Sequence, residues 1–243
     1  MPGLQGSLDE LPTRNGFRLR GLASTRIETL TDAAFAFALT LLVVSLDVPT
    51  SYAELVDALR GIPAFALSAA LLLMFWSGHH TWSRRYGLDD TPTVLLSGLL
   101  VFTVLVYVYP LRFVFQSMSA YFGYLAGVDL GGRSLTIEAN QVNHLFVIYG
   151  AGFCAMCATL VLLNLHAWRR RDELGLDPVE RFDTRAEIAA WTLVGSAGLL
   201  SIAVALFVPA RWAGLPGWCY SLLGIVMPLV GRRNSRRRLE IHR

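Results

Sequence analysis

Six long apolar stretches dominate the pattern of hydrophobic and polar positions along the 243-residue chain. A helix needs about 20 mostly apolar residues to cross a bilayer. The pattern therefore predicts an all-α integral membrane protein with six transmembrane helices. The predicted spans are 27–47, 61–81, 93–115, 142–166, 187–209 and 213–231. The last of them is short and contains Pro228.

The composition agrees with a polytopic membrane protein. The chain is 54% hydrophobic and only 16% charged, with a mean hydropathy of +0.48, whereas soluble domains carry about 25% charged residues. Residues 1–25 are polar and have no apolar core before a cleavage site, so the first apolar stretch is expected to be retained. We expect an N-terminal segment over 1–25, a membrane domain over 26–231 and a basic tail over 232–243.

The arginine distribution predicts the orientation. All 21 basic residues are arginines, and 17 of them lie on one side of the membrane if the N-terminus is cytoplasmic. Such a bias follows the positive-inside rule. We therefore expect a multi-pass protein of the cell inner (plasma) membrane with both termini in the cytoplasm. The basic tail is expected to contact anionic membrane lipids rather than nucleic acid.

Polar side chains occur near one end of the first two spans. Asp32 lies about 9 Å beyond Arg26 along a helix, and the second span carries Trp76, His79 and His80 near the same depth. Neighbouring antiparallel helices would bring these groups together. A structural hydrogen-bond network, gating or proton sensing by the histidines and a metal site are the alternatives. A metal is disfavoured because adjacent histidines point about 100° apart on a helix.

Other chemical motifs are few. Cys154 and Cys157 form a CxxC spacing, but they fall in the middle of the fourth predicted span, whereas thiol exchange needs an accessible thiolate. We interpret them as packing residues, with a membrane redox enzyme as a minor alternative. No Walker A, GxGxxG or TVGYG segment is present in the sequence. The lack of TVGYG excludes the ordinary carbonyl potassium filter but not a channel.

The segment from Arg26 to Asp32 has the spacing R-x-x-x-L-T-D, which resembles the R-x-x-x-F-S-D signature that opens the first helix of the TMEM175 family. The following "AAFAFALTLLVVSLDVP" resembles the rest of that helix, and "FWSGHH" resembles the family's W-x-x-H-H segment. Leu30 stands where the signature has Phe, and Thr31 keeps the hydroxyl of Ser. The similarity is strongest over residues 26–85 and only architectural beyond them.

The resemblance implies a potassium-permeable channel that is not an enzyme. It implies a homotetramer, a pore lined by the first helix, and a hydrophobic constriction in place of carbonyl oxygens. K⁺ would be the permeating ion, and no cofactor is expected. The implied pore-lining residues are Phe37, Thr40, Leu41 and Val44. The implied structural or gating network comprises Arg26, Thr31, Asp32, Trp76, His79 and His80.

A proton-coupled secondary transporter is the alternative function. It would use Asp32 with His79 and His80 as a proton relay. Transporters often show repeated halves and interrupted helices, and the sequence contains neither. Taken without the family, the apolar stripe through Phe37 is also typical of a packing core.

Overall fold

The computed structural model describes residues 10–44, 50–128, 139–209, 212 and 214–241. In this part of the chain, one small hairpin precedes seven α-helices, so the prediction of an all-helical protein is confirmed with one addition. The strands are β1 Thr13–Arg14 and β2 Phe17–Arg18. The helices are α1 Arg26–Val44, α2 Tyr52–Arg60, α3 Ile62–Tyr86, α4 Thr91–Ala126, α5 Ala139–Arg169, α6 Pro178–Phe207 and α7 Leu215–Ile241.

Four of these helices are long and apolar enough to cross a membrane. They correspond to the second, third, fourth and fifth predicted spans, and they cover Ile62–Tyr86, Thr91–Ser119, Gln141–Arg169 and Pro178–Phe207. The chain is therefore a multi-pass membrane protein. The first predicted span overlaps α1, and the sixth overlaps α7, which continues to Ile241 through residues predicted as the basic tail. Their assignment as spans stays a prediction.

Several helices extend beyond their apolar stretches. α6 begins at Pro178, between the fourth and fifth predicted spans, because Asp177 and Glu180 form a capping box. The Asp177 carboxylate accepts from Glu180 N at 2.8 Å, and the Glu180 carboxylate accepts from Asp177 N at 3.1 Å. Such caps satisfy the free N–H groups of the first turn. Hydropathy thus predicts which part of a helix lies in the membrane, whereas the capping residues predict where the helix begins.

The N-terminal hairpin is an element that the hydropathy pattern did not predict. Asn15 and Gly16 connect its strands with φ angles of 53° and 73°. Positive φ at both central residues is the requirement of the tight hairpin turn that Asn-Gly sequences favour. Phe17 is buried, and its ring packs at nearly a right angle to the Tyr86 ring, with 5.6 Å between the centroids. The hairpin therefore packs on the end of α3.

Ion pairs fix this hairpin to the start of α6. The Glu180 side chain is fully buried and accepts hydrogen bonds from both Arg18 and Arg20, the shortest at 2.8 Å to each guanidinium. Arg238, near the end of α7, pairs with Asp183 of α6 and also donates to the carbonyl of Asn15. We call this region, where the hairpin meets α3, α6 and α7, the arginine-rich end.

The helices pack as neighbours around one apolar core. α5 packs against α4 and α6, α7 lies against α6, and α1 packs against α3 and α4 at the edge of the bundle. Gly87 ends α3 with a φ of 57°, and a Cβ there would lie 2.8 Å from the backbone of Arg20. Large core side chains include Leu72, Phe75, Leu100, Tyr107, Leu111, Phe153, Met156, Leu160 and Leu163.

Candidate functional site

α1 has two faces with different surroundings. Thr31, Phe35, Ala38 and Leu42 recur at intervals of four, three and four residues, so they form one stripe along the helix. All four are buried, and α1 packs with α3 and α4. The hydroxyl of Thr31 donates to the Ile27 carbonyl at 2.8 Å. This stripe anchors α1 on the bundle.

The opposite side of α1 is exposed in the single subunit, and we call it the free face, formed by Ala33, Ala36, Phe37 and Thr40. These positions lie on the far side of the helix from the buried stripe. The Phe37 side chain is 56% exposed. The hydroxyl of Thr40 donates to the Ala36 carbonyl at 3.0 Å, so the lone pairs of its oxygen remain available on the free face.

The structure places the four predicted pore-lining residues differently. Phe37 and Thr40 lie together on the free face. Leu41 is half-buried and packs against the apolar core at the border of that face. The side chain of Val44 lies outside the described residues. Two of the four are therefore side by side on a surface that no other part of the described subunit covers.

A polar cluster of Glu28, Asp32, Trp76 and His80 joins α1 to α3, and we call it the α1–α3 network. Trp76 Nε1 donates to Asp32 Oδ1 at 2.7 Å. The His80 ring stacks on Trp76, with 5.2 Å between the ring centroids. His80 Nδ1 lies 3.8 Å from Oε1 of Glu28, whose side chain is buried. The network fixes the rotation of α1 against α3.

His79 points away from this network. Its Nε2 lies 3.0 Å from the Ser97 hydroxyl of α4, and both side chains are buried. Adjacent helical residues point about 100° apart, so His80 faces α1 while His79 faces α4. The expectation of two imidazoles beside one carboxylate therefore differs from the structure.

Arg26 also lies apart from the α1–α3 network. It lies six positions before Asp32, which places the two side chains about 120° apart around the helix. Its side chain is exposed, and within the described part of this subunit it forms no hydrogen bond or ion pair. Glu28 occupies the expected position instead, because it lies about 40° from Asp32 on the same side. The sequence signal for Glu28 was this four-residue spacing from Asp32.

The two cysteines of the CxxC spacing lie on α5 where it packs on α6. Cys157 is buried, and the Cys154 thiol lies 3.5 Å from the Gly195 carbonyl. Both are free thiols. Their environment is a helix–helix contact, where small side chains allow a close approach.

The free face of α1 and the α1–α3 network fall in a region that a family model matches. The model described as "Endosomal/lysosomal potassium channel TMEM175" matches residues 26–110. A protein named "Potassium channel" from Marivirga tractuosa is 37% identical over 232 residues, covering 92% of this chain and 94% of that relative. The chain belongs to the TMEM175 family. The resemblance of the Arg26–Asp32 signature to that family is thus confirmed.

Solved structures of TMEM175 channels have a similar fold. A crystal structure of a variant of the potassium channel MtTMEM175, in complex with a nanobody–MBP fusion, gives a TM-score of 0.80 at 34% identity, covering 93% of this chain and 100% of that chain. A homologue, from Chamaesiphon minutus, of the lysosomal potassium-selective channel TMEM175 gives a TM-score of 0.54 at 22% identity, covering 86% of this chain and 96% of that one. The second likeness concerns the fold alone.

Proposed function

We propose that this TMEM175-family chain is the subunit of a homotetrameric, potassium-permeable channel whose pore is lined by the free face of α1. The observation that carries the proposal is the exposure of Phe37 and Thr40 side by side, opposite the stripe that anchors α1. An apolar, small-residue face without a partner in its own subunit is suited to packing around a symmetry axis. The relative from Marivirga tractuosa is named a potassium channel.

Phe37 would form the constriction. Four phenylalanine rings around one axis make a narrow apolar ring, and such rings gate by dewetting and oppose the passage of hydrated ions. Thr40 lies three residues further along the free face. Because its hydroxyl hydrogen is directed to the Ala36 carbonyl, its oxygen can face a passing cation and offset part of the lost hydration.

The membrane arrangement follows from the same proposal. α1 and α7 are the first and sixth spans, so both termini lie on one side of the membrane. The arginine-rich end then faces the cytoplasm, in agreement with the positive-inside rule. The channel sits in the cell membrane and conducts K⁺ without a cofactor or an enzymatic step. The α1–α3 network, together with Thr31, positions α1.

The transporter alternative is not favoured. It placed Asp32, His79 and His80 in one proton relay, but His79 is hydrogen-bonded to Ser97 on α4 while Asp32 is bonded to Trp76. No observation on the described residues adds support to it, and the named relatives are potassium channels.

Cysteine accessibility tests the proposal. Purified Phe37→Cys protein is placed in vesicles, and K⁺ efflux down a gradient is followed before and after a soluble, charged thiol reagent. We expect the reagent to block efflux and an oxidant to cross-link subunits. Phe102→Cys is the matched control, because Phe102 is 66% exposed but lies on α4.

The wild-type chain provides a second control, because Cys157 and Cys219 are buried and Cys154 is half-buried. Block of Phe102→Cys but not of Phe37→Cys would contradict a pore along α1. Efflux that requires an imposed proton gradient would support the transporter instead.

A further inference from the structure

A cavity at the arginine-rich end combines positive charge with aromatic surface. It has a volume of about 880 Å³ and lies between the end of α5 and the first turns of α6. Ligand pockets commonly measure about 300–1,000 Å³. Its walls are formed by Trp168, Arg171, Leu176, Pro178, Arg181, Phe182 and Arg185.

The arginines of the cavity are only partly neutralised. The guanidinium carbons of Arg171 and Arg185 lie 5.0 and 4.4 Å from the centroid of the same Trp168 ring. Arg181 pairs with Asp172 at 2.6 Å, and Arg171 lies 3.6 Å from that same carboxylate. One exposed carboxylate thus serves two arginines. A bound anion would relieve the repulsion between the two cations that share Trp168.

Arg185 has the largest unused donor capacity in the cavity. Its guanidinium donates no hydrogen bond and forms no ion pair within the described part of the chain; its contact there is the Trp168 ring. A guanidinium carries five N–H donors in a fixed fork that matches phosphate oxygens. The cavity therefore offers a ready phosphate-binding group beside an aromatic wall.

The cavity lies where α5 and α6 leave the membrane. The apolar sequence of α5 ends at Ala167, directly before Trp168, and that of α6 begins at Ile188, three residues after Arg185. Tryptophan and arginine are the residues that mark the membrane–water interface. The phosphate of a lipid headgroup would lie at this same level, with its acyl chains along the apolar surfaces of α5 and α6.

We propose that this cavity binds the headgroup phosphate of an anionic phospholipid, with Arg171 and Arg185 as the phosphate-binding residues and Trp168 as the apolar wall between them. The site depends on α5 and α6 spanning the membrane and not on the pore along α1. Leu176 and Phe182 provide further apolar lining next to the headgroup. A free phosphate would use the same arginines but not the neighbouring apolar surface.

Lipid binding by the full-length protein in an uncharged detergent tests the proposal. The probes are dioleoylphosphatidylglycerol, dioleoylphosphatidylcholine with the same acyl chains, and soluble glycerol phosphate. Native mass spectrometry gives the affinity, and the thermal unfolding midpoint gives a second readout. We expect the phosphatidylglycerol to bind most tightly and to raise the midpoint, and Arg185→Gln to weaken its binding by roughly tenfold.

Arg169→Gln is the matched control, since Arg169 is exposed like Arg185 and follows Trp168 at the end of α5, but does not line the cavity. Its lipid affinity should equal that of the wild type. Equal binding of both lipids, binding of glycerol phosphate as tight as that of the lipid, or equal losses in Arg169→Gln and Arg185→Gln would each overturn the proposal. Arg185→Gln should lower the lipid-free midpoint only slightly, because Arg185 loses its cation–π contact with Trp168 but no hydrogen bond or ion pair.

Discussion

Trp76 and Asp32 are joined by a 2.7 Å hydrogen bond from the indole nitrogen to the carboxylate, which connects α3 to α1. The bond holds one side of α1 against α3 and so determines which residues face outward. Phe37 lies about 140° around the helix from Asp32, on the free face. The polar first half of α1 therefore sets the rotation of the helix, and this rotation determines where the apolar second half faces.

Removing the indole donor should weaken this arrangement. Trp76→Phe keeps an aromatic ring for His80 to stack on but leaves the Asp32 carboxylate without its 2.7 Å donor. We expect a loss of about 1–3 kcal/mol in the free energy of unfolding, measured as a lower thermal midpoint in detergent. Potassium-to-sodium preference should be retained in the folded fraction. Normal stability with altered ion preference would instead place Asp32 in the ion path.

Shortening the proposed constriction should open it. Phe37→Ala removes an exposed ring from the free face without touching the buried stripe of α1. We expect conductance or leak to rise severalfold and ion discrimination to fall, because a wider, wetter ring imposes less dehydration. Single-channel recording measures both. Phe102→Ala, on the exposed side of α4, should leave both unchanged, and an equal effect of the two variants would exclude Phe37 as the constriction.

The Thr40 hydroxyl allows a near-isosteric test. Thr40→Val keeps the side-chain shape but removes the oxygen on the free face, so we expect lower conductance with unchanged assembly. Thr103→Val is the control, because Thr103 is partly exposed on α4 and, like Thr40, donates to the carbonyl four residues earlier, at 2.8 Å to Leu99. Size-exclusion chromatography checks assembly. Similar conductance losses in both variants would show that the oxygen of Thr40 has no special place in the ion path.

Among the ionic residues of the arginine-rich end, Glu180 should be the one whose substitution destabilises the protein most. Its buried carboxylate accepts from Arg18 and Arg20, so Glu180→Gln leaves two arginines facing a neutral group. We expect a loss of about 3–5 kcal/mol in unfolding free energy. Glu187→Gln, which removes the partner of Arg85 from a more exposed pair, should cost less than about 1 kcal/mol. Equal falls of the thermal midpoint in Glu180→Gln and Glu187→Gln would contradict the larger role given to Glu180.

Asp90 links the start of α4 to the end of α5 and predicts a pH dependence. Burial opposes its ionisation, but hydrogen bonds from Thr93 and His166 outweigh that effect and lower its pKa from 3.8 to about 2. A carboxyl group whose pKa is lower in the folded state than in the unfolded state stabilises the fold above its unfolded-state pKa. This stabilisation is lost as the pH falls through the folded-state pKa. Because Asp90 is partly exposed and solvent screens its partners, we expect the free energy of unfolding to fall by at most about 2 kcal/mol between about pH 4 and pH 2.

Asp90→Asn provides the comparison for that acid transition. The variant has no carboxyl group to titrate, so its thermal midpoint should fall less steeply over the same pH range. Equal slopes for the two proteins would show that other carboxyl groups determine the acid sensitivity.

The sequence was most informative about features that depend on hydropathy alone or on a short motif. The apolar stretches located the four helices that are long and apolar enough to span a membrane, and the Arg26–Asp32 signature indicated the family. Hydropathy could not locate the start of α6, because Asp177 and Glu180 define it through local hydrogen bonds. The N-terminal hairpin was missed for a similar reason. Its signal is the Asn15–Gly16 turn, which a search for spans ignores.

The candidate site was predicted only in part. A sequence gives the depth of a residue along a helix more easily than the direction in which its side chain points. Asp32, Trp76 and His80 lie at the same depth and meet, as the antiparallel packing of two helices suggested. Arg26 and His79 also lie near that depth, but their angular positions on α1 and α3 direct them elsewhere. Which neighbour a helix face meets depends on the tertiary packing, and the periodicity of a single helix does not contain that information.

Whether this chain forms a potassium-permeable pore is tested by the reversal potential of purified wild-type protein in a planar bilayer, with K⁺ on one side, Na⁺ on the other and equal pH. A potassium-permeable pore along α1 predicts a steady current that reverses on the potassium-selective side of zero. The same measurement on Phe37→Ala should give a reversal closer to zero. The absence of current, or a current that appears only with a proton gradient, would contradict a potassium-permeable channel, and a wild-type reversal at zero would contradict its preference for K⁺ over Na⁺.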